Sequence, residues 1–206
     1  MIVIFRVIDR GVYTVYDSCQ LECAVAYYPV KTVCVPRILD LVKFVFEQML
    51  TYDVQFVILG SGEWEFETFF HAMTQSHPDR VALKLGFIPD YAPKAYAGAD
   101  IFLMPSKSEP CGLSQMIALR YGAIPVVRET GGLKDTVTDS GDGEGNGFTF
   151  QSYNASDMAY AVERAVTGYR NREGWQILVR RAMQCDNSWG RSANAYIKLY
   201  KEILGQ

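Results

Sequence analysis

From Val54 to Phe150 the sequence is cut into short pieces of alternating kind, and this alternation limits the fold more than any other feature. Val54–Leu59 is a β-branched apolar run that ends in Gly60-Ser61-Gly62, the pattern of a buried strand feeding a glycine turn. Residues 63–76 then carry Trp64, Phe66, Phe69, Phe70 and Met73 at helical intervals. The change of period recurs, with strands expected over 81–86, 101–104, 124–127 and 148–150 and helices over 91–98 and 113–121. A Thr130-Gly131-Gly132 turn and a glycine-rich loop over 140–147 precede the last of these strands, and helices over 155–169, 172–185 and 191–203 follow it. Upstream, residues 38–50 read as a helix with Leu41, Val42, Val45, Phe46 and Met49 on one face, and residues 33–35 as a candidate strand. Residues 1–28 show no clear period, so 1–30 is set apart as an N-terminal segment of unclear origin and 31–206 as the domain. Strands and helices alternating at this spacing require βαβ crossovers. The expected fold is α/β, a Rossmann-like parallel sheet of about six strands with helices on both faces.

Composition narrows the partners. With 206 residues, 49% of them hydrophobic, the chain can fill a core. Twenty Lys+Arg against 23 Asp+Glu gives a net charge of −3 without a basic block, which argues against nucleic acid and anionic membranes as partners. The apolar runs are broken well before the roughly 20 residues of a membrane span, and Asp9 and Arg10 interrupt the apolar start before a signal-peptide core could form. The five cysteines, Cys19, Cys23, Cys34, Cys111 and Cys185, are odd in number and form no C-x-x-C pair, and there are only two histidines. Neither a disulfide framework nor a metal site is expected, and a reducing cytoplasm is.

In an open parallel sheet ligands bind outside the carboxyl ends of the strands, so the loops after Leu59, Gly86, Met104 and Val127 matter most. Gly60-Ser61-Gly62 allows a ligand close approach to backbone, but Glu65 replaces the third glycine of a dinucleotide fingerprint and no G-x-x-x-x-G-K-[ST] is present. The loop after Met104 reads Pro105-Ser106-Lys107-Ser108-Glu109-Pro110-Cys111-Gly112-Leu113-Ser114-Gln115. Pro110 denies Glu109 the helical conformation, so its carboxylate is expected to point outward. Gly112, Leu113 and Ser114 would then offer bare N–H groups at a helix N-terminus, an anion site. A carboxylate beside a phosphate site suits a sugar nucleotide, with one end accepting from sugar hydroxyls and the other stabilising an oxyanion.

That loop, the run from Ala118 through Gly122-Ala123-Ile124-Pro125 to Arg128, and Thr130-Gly131-Gly132-Leu133-Lys134-Asp135-Thr136-Val137 closely resemble bacterial glycogen synthase and plant starch synthase. The resemblance runs from about residue 41 to about residue 204. It implies the C-terminal, donor-binding half of a two-Rossmann-domain enzyme. Such enzymes transfer glucose from ADP-glucose, less commonly UDP-glucose, to an α-1,4-glucan with retention, use no cofactor, and work in the cytoplasm, or the plastid in a plant. By this resemblance Glu109 is the catalytically important carboxylate near the donor sugar hydroxyls, and Cys111, Gly112, Leu113 and Ser114 lie beside the sugar and diphosphate. Gly60 and Gly62 form the turn near the nucleotide, Phe87 stands near the adenine, and Thr130, Gly131 and Gly132 line the donor pocket. The final helix after Ser188-Trp189 resembles the one that crosses back onto the N-terminal domain.

Two departures qualify the resemblance. The family's S-R-L-x-x-Q-K-G has no Q-K-G counterpart here; Arg37 stands for the Arg or is a solvated helix-start residue, and Lys43 lies inside the helix. Residues 1–28 resemble nothing in the family, and the acceptor-side domain with its K-x-G-G-L motif, through which the glucan would be bound, is missing. The resemblance stops near Leu39 instead of fading, as in a frameshift or misjoined gene model, or in a natural deletion with a new N-terminal segment. A non-catalytic fragment and a sucrose-synthase-like transferase are the competing readings. Other features have plainer explanations. Cys111 is a small turn residue or a reactive thiol, His71 and His77 are surface residues, and residues 139–147 are a flexible loop without the twelfth ligand of a calcium site. The Trp64–Phe70 aromatics are expected in the core or at ordinary exposure rather than as a glucan-stacking platform.

Overall fold

The computed structural model describes residues 2–7, 39–86 and 89–205. Among them are the strands β1 (Ile2–Val7), β2 (Val54–Leu59), β3 (Val81–Lys84), β4 (Ile101–Met104), β5 (Ile124–Arg128) and β6 (Phe148–Phe150). They form one six-stranded sheet in the order β3-β2-β1-β4-β5-β6. The pairs β2–β3, β4–β5 and β5–β6 are parallel, as the crossover pattern requires. The expectation of a wholly parallel sheet is corrected by β1, which runs antiparallel between β2 and β4, with Ile2 opposite Leu59 and Val7 opposite Val54. Residues 2–7 thus belong to the sheet and are not a separate segment. A strand enclosed on both faces reads as a continuous apolar run, so a test for alternation passes over it. The expected strand over 33–35 and the boundary near residue 30 lie outside the described residues.

Helices cover both faces. α1 (Asp40–Met49), α2 (Trp64–Ser76), α6 (Ala155–Arg170) and α7 (Arg172–Met183) lie on one. There Phe46 packs on Phe56 and Phe70 with ring centroids 4.7 and 5.5 Å apart, in a core shared with Val3, Ile101 and Met158. On the other, α3 (Ala92–Gly98), preceded by a single 3-10 turn at Pro89–Tyr91, and α4 (Ser114–Tyr121) pack Ala95, Tyr96 and Ala118 against Ile4, Leu59 and Phe102. Val3 and Ile4 face opposite cores because successive side chains alternate across a pleated strand. The Thr130-Gly131-Gly132 turn opens a short helix, α5 (Gly131–Thr136), which two glycines of low helix propensity conceal in the sequence. α8 (Trp189–Leu204) buries no residue. No described helix is long and apolar enough to cross a membrane.

One ion pair ties β6 to α6 and to the glycine-rich loop. Arg164 grips Asp139 with Nη1–Oδ1 at 2.8 Å and Nη2–Oδ2 at 2.9 Å, while the Thr149 and Gly141 amides donate to the same carboxylate at 2.7 and 2.8 Å. Burial pushes the Asp139 carboxyl up, but the Arg164 and amide hydrogen bonds outweigh it and bring it from an ordinary 3.8 to about 2. A depressed carboxyl stabilises the fold above its unfolded value, and that contribution disappears as pH falls through the folded value. With screening of this partly exposed pair allowed for, the contribution is about 1–2 kcal/mol. Asp139→Asn is expected to lower the urea midpoint at pH 6 and to leave it unchanged relative to wild type near pH 2. An equal deficit at both pH values would refute this role.

Candidate functional site

β2 connects to β3 on one side of β1 through α2, and β4 connects to β5 on the other through α4. The connections diverge at β1, which makes the carboxyl edge there a topological switch point, the place where open α/β sheets bind ligands. Residues 60–62 leave β2 at this edge and residues 105–113 leave β4. Gly60, at φ 110°, adopts a conformation that favours glycine, and its amide donates to the Lys84 carbonyl at 3.1 Å. The Gly62 amide donates to Glu67 Oε1 at 2.9 Å, so α2 holds the turn by a side chain that the motif does not reveal.

In the second loop Pro105 and Ser106 are buried, Glu109 is half-buried, and Pro110, Cys111 and Leu113 are exposed. Burial pushes the Glu109 carboxyl above its ordinary value, while the nearby Gly112 and Cys111 amides pull the other way. The Gly112 amide, expected to be bare, therefore lies beside the chain's own carboxylate. Gly112 takes φ 74°, and no side chain caps the first turn of α4 at Leu113. The Glu109 carboxylate and this uncapped helix start stand side by side.

The β5 loop closes on this segment. The Gly132 amide donates to the Glu109 carbonyl at 3.1 Å. A Cβ on Gly131 would stand 2.1 Å from the Glu109 carbonyl oxygen, and one on Gly132 would stand 1.9 Å from that of Cys111. Only glycine permits such approach. Thr130, in extended conformation, precedes the first turn of α5. Glu109, Cys111, Gly112, Leu113, Ser114, Thr130, Gly131 and Gly132 thus form one cluster, with Gly60 and Gly62 across β1 from it. Arg37 and Phe87 lie outside the described residues.

Two cations escaped the motif reading. Arg128, the last residue of β5, donates to the Lys107 carbonyl at 2.9 Å, and both side chains lie over the Tyr153 ring at 5.7 and 5.8 Å. The signal available was a cation placed at the carboxyl end of an apolar strand. Elsewhere Trp64 is 80% exposed while Phe66 and Phe70 are core residues. His71 is exposed, and His77 lies 3.7 Å from Glu47. Among the described residues no cluster of three or more His, Cys, Asp or Glu could hold a metal ion.

Residues 35–177 match the family described as glycosyl transferases group 1. The chain belongs to that family. It is 54% identical over 168 residues to a glycogen synthase of Anoxybacillus flavithermus and 52% identical to that of Geobacillus stearothermophilus, covering 81% of this chain and 35% of each relative. The chain therefore spans about a third of the length of the relatives it matches. Among solved structures it resembles the catalytic domain of starch synthase IV from Arabidopsis thaliana bound to ADP and acarbose, with a TM-score of 0.73 and 38% identity over 84% of this chain and 37% of that one. The resemblance read from the loop and glycine motifs is thus shown, and so is the α/β fold class, with β1 as the antiparallel exception.

The close approach of the two glycosyltransferase loops predicts a steep dependence on side-chain size. Gly132→Ala is expected to destabilise the fold by about 2–4 kcal/mol in urea unfolding, because backbone must move to admit the methyl group. Gly143→Ala, at φ 86° with nothing within 4 Å of its added Cβ, is expected to cost about 1 kcal/mol from backbone conformation alone. Equal losses would mean that the loops do not depend on that contact.

Proposed function

We propose that this chain is the donor-binding half of a retaining glucosyltransferase of the glycogen and starch synthase type, which moves glucose from ADP-glucose to the non-reducing end of an α-1,4-glucan. The observation that carries the reading is the cluster in which the Glu109 carboxylate and the uncapped start of α4 lie side by side at the switch point. Identity to glycogen synthases and likeness to a starch synthase IV domain bound to ADP support the adenine nucleotide and the glucan as substrates. The expected setting is the cytoplasm, or the plastid in a plant.

In this reading Glu109 accepts from donor-sugar hydroxyls, and the amides of Leu113 and Ser114 face the diphosphate. As the glycosidic carbon–oxygen bond breaks, negative charge grows on the departing diphosphate, and fixed N–H dipoles stabilise it without reorganising. The Gly60 to Gly62 turn borders the nucleotide. The glucan is held by an acceptor-binding half, and α8 is the surface that half covers. Its Tyr196, Ile197, Tyr200, Ile203 and Leu204 form an exposed apolar stripe. Without the acceptor half no glucan is oriented at the donor carbon, and orientation is a large part of such a rate.

Isotope-labelled 206-residue chain, titrated with ADP, is expected to show amide shifts at Gly60, Gly62 and Gly112 to Ser114, whereas shifts confined to residues 140–147 would overturn the assignment. Glu109→Gln is expected to keep ADP affinity within about threefold and to weaken ADP-glucose about tenfold, the loss of a charge-assisted bond to the sugar. Radiolabelled glucose from ADP-glucose is expected to enter glycogen no faster with this chain than with Glu109→Ala. Incorporation above that level would show that the chain transfers glucose unaided.

A further inference from the structure

Gln115, the second residue of α4, is fully buried in the floor beneath the two loops. Its Nε2 donates to the Gly112 carbonyl at 2.8 Å, to the Cys111 carbonyl at 3.2 Å and to Thr136 Oγ1 at 3.1 Å. Thr136 Oγ1 in turn donates to the Gly132 carbonyl at 2.6 Å, and the Gly132 amide donates to the Glu109 carbonyl at 3.1 Å. A closed circuit therefore runs from the Glu109 backbone through Gly132, Thr136 and Gln115 to Cys111 and Gly112. The amides of those last two residues lie beside the Glu109 carboxylate and favour its charged form.

Gln115 Oε1 is buried with no hydrogen-bond partner among the described residues. An unpaired buried acceptor is a standing penalty that an apolar side chain of similar size would avoid. Packing alone therefore does not account for glutamine here, and its donor end does. That end fixes two carbonyls whose residues' amides face the carboxylate, so tilting the loop at Cys111 and Gly112 would swing those amides away from Glu109.

We infer that Gln115, clamped by Thr136, is a positioning residue that sets the Glu109 carboxylate and the Cys111 and Gly112 amides relative to one another. Its value to a donor rests on the donor-site reading above, but the clamp does not. It acts through backbone and touches no reacting atom.

The test uses the full chain as wild type, Gln115→Leu, Thr136→Val and Thr136→Ser, the last of which keeps the hydroxyl. Amide spectra are followed from pH 4 to 7.5 with unfolding midpoints as control. In wild type the Cys111 and Gly112 amide shifts are expected to track the Glu109 titration, a coupling that requires the carboxylate to be held against them. In Gln115→Leu the coupling is expected to vanish while resonances far from the loop keep wild-type positions; in Thr136→Val it weakens, and in Thr136→Ser it persists. A purely structural role would lower the midpoint of every variant and leave the coupling intact, which would overturn the inference. Should Gln115→Leu fail to fold, the Val and Ser pair at position 136 decides, since equal coupling in both would overturn it. ADP-glucose affinity is expected to fall about tenfold in Gln115→Leu and to change less than about threefold in Thr136→Ser. Wild type that shows the coupling but binds no ADP-glucose would sink the donor-site reading and leave the clamp standing.

Discussion

The sheet is continuous because β1 lies between β2 and β4. The β3–β2 pair and the β4–β5–β6 trio have no other bridge in the hydrogen-bonded order, and without β1 two rows of backbone donors and acceptors would face each other unpaired in the interior. Buried main-chain groups left that way cost more than almost any local preference could offset. The strand also sets a distance. Neighbouring strands stand about 4.8 Å apart, so two steps separate the loops leaving β2 and β4 by about 10 Å. The Val7 amide, which donates to Asp100 Oδ2 at 2.9 Å, fixes the far end of β1 to the residue just before β4. The spacing of the two loops at the carboxyl edge is therefore a product of the core.

Within that frame the site is made rigid by what is missing. The absent side chains of Gly131 and Gly132 let two loops meet backbone to backbone, and rigidity of this kind is what electrostatic catalysis needs. Dipoles already aimed at a developing charge need not reorganise when it appears. The Glu109 carboxylate is raised by its partial burial and held down by the neighbouring amides.

The sequence made the site's elements legible because β2, β4 and β5 are short, mostly apolar runs, each ending at Gly, Pro or Thr-Gly-Gly punctuation. Loops at carboxyl edges could be located before any coordinate was known. Less was visible where the controlling interaction is tertiary. β1 escaped because a strand buried on both faces lacks alternation, and its antiparallel sense needs no crossover to announce it. α5 escaped because its helical first turn is spelled Gly131-Gly132. Glu67 and Gln115 escaped for another reason: a carboxylate or amide on an amphipathic helix gives no sign in one dimension of which backbone group it will meet. The carboxylate that stands beside the Gly112 amide was hidden similarly, since Glu109 is a neighbour in the same loop.

Two helices of this chain show where folding ends and function has still to be completed. α6 and α8 each span 16 residues, and both carry an apolar stripe at i, i+4 and i+7 spacing. α6 sinks Met158, Ala161, Val162, Ala165 and Val166 into the core, and its Asn154 cap donates structure at the start by accepting the Asp157 amide at 2.7 Å. α8 is capped as well, by Ser188 accepting the Arg191 amide at 3.3 Å, yet it buries nothing. Capping and patterning make a helix, but only a surface makes use of its stripe. The stripe of α8, with Trp189 90% exposed at its start, is therefore not a requirement of this domain's own core, which closes without it. On the proposed function, a reaction between two substrates needs the second one brought to this edge, and the surface proposed to accept α8 would hold this half by its last helix while presenting acceptor where β2 and β4 end.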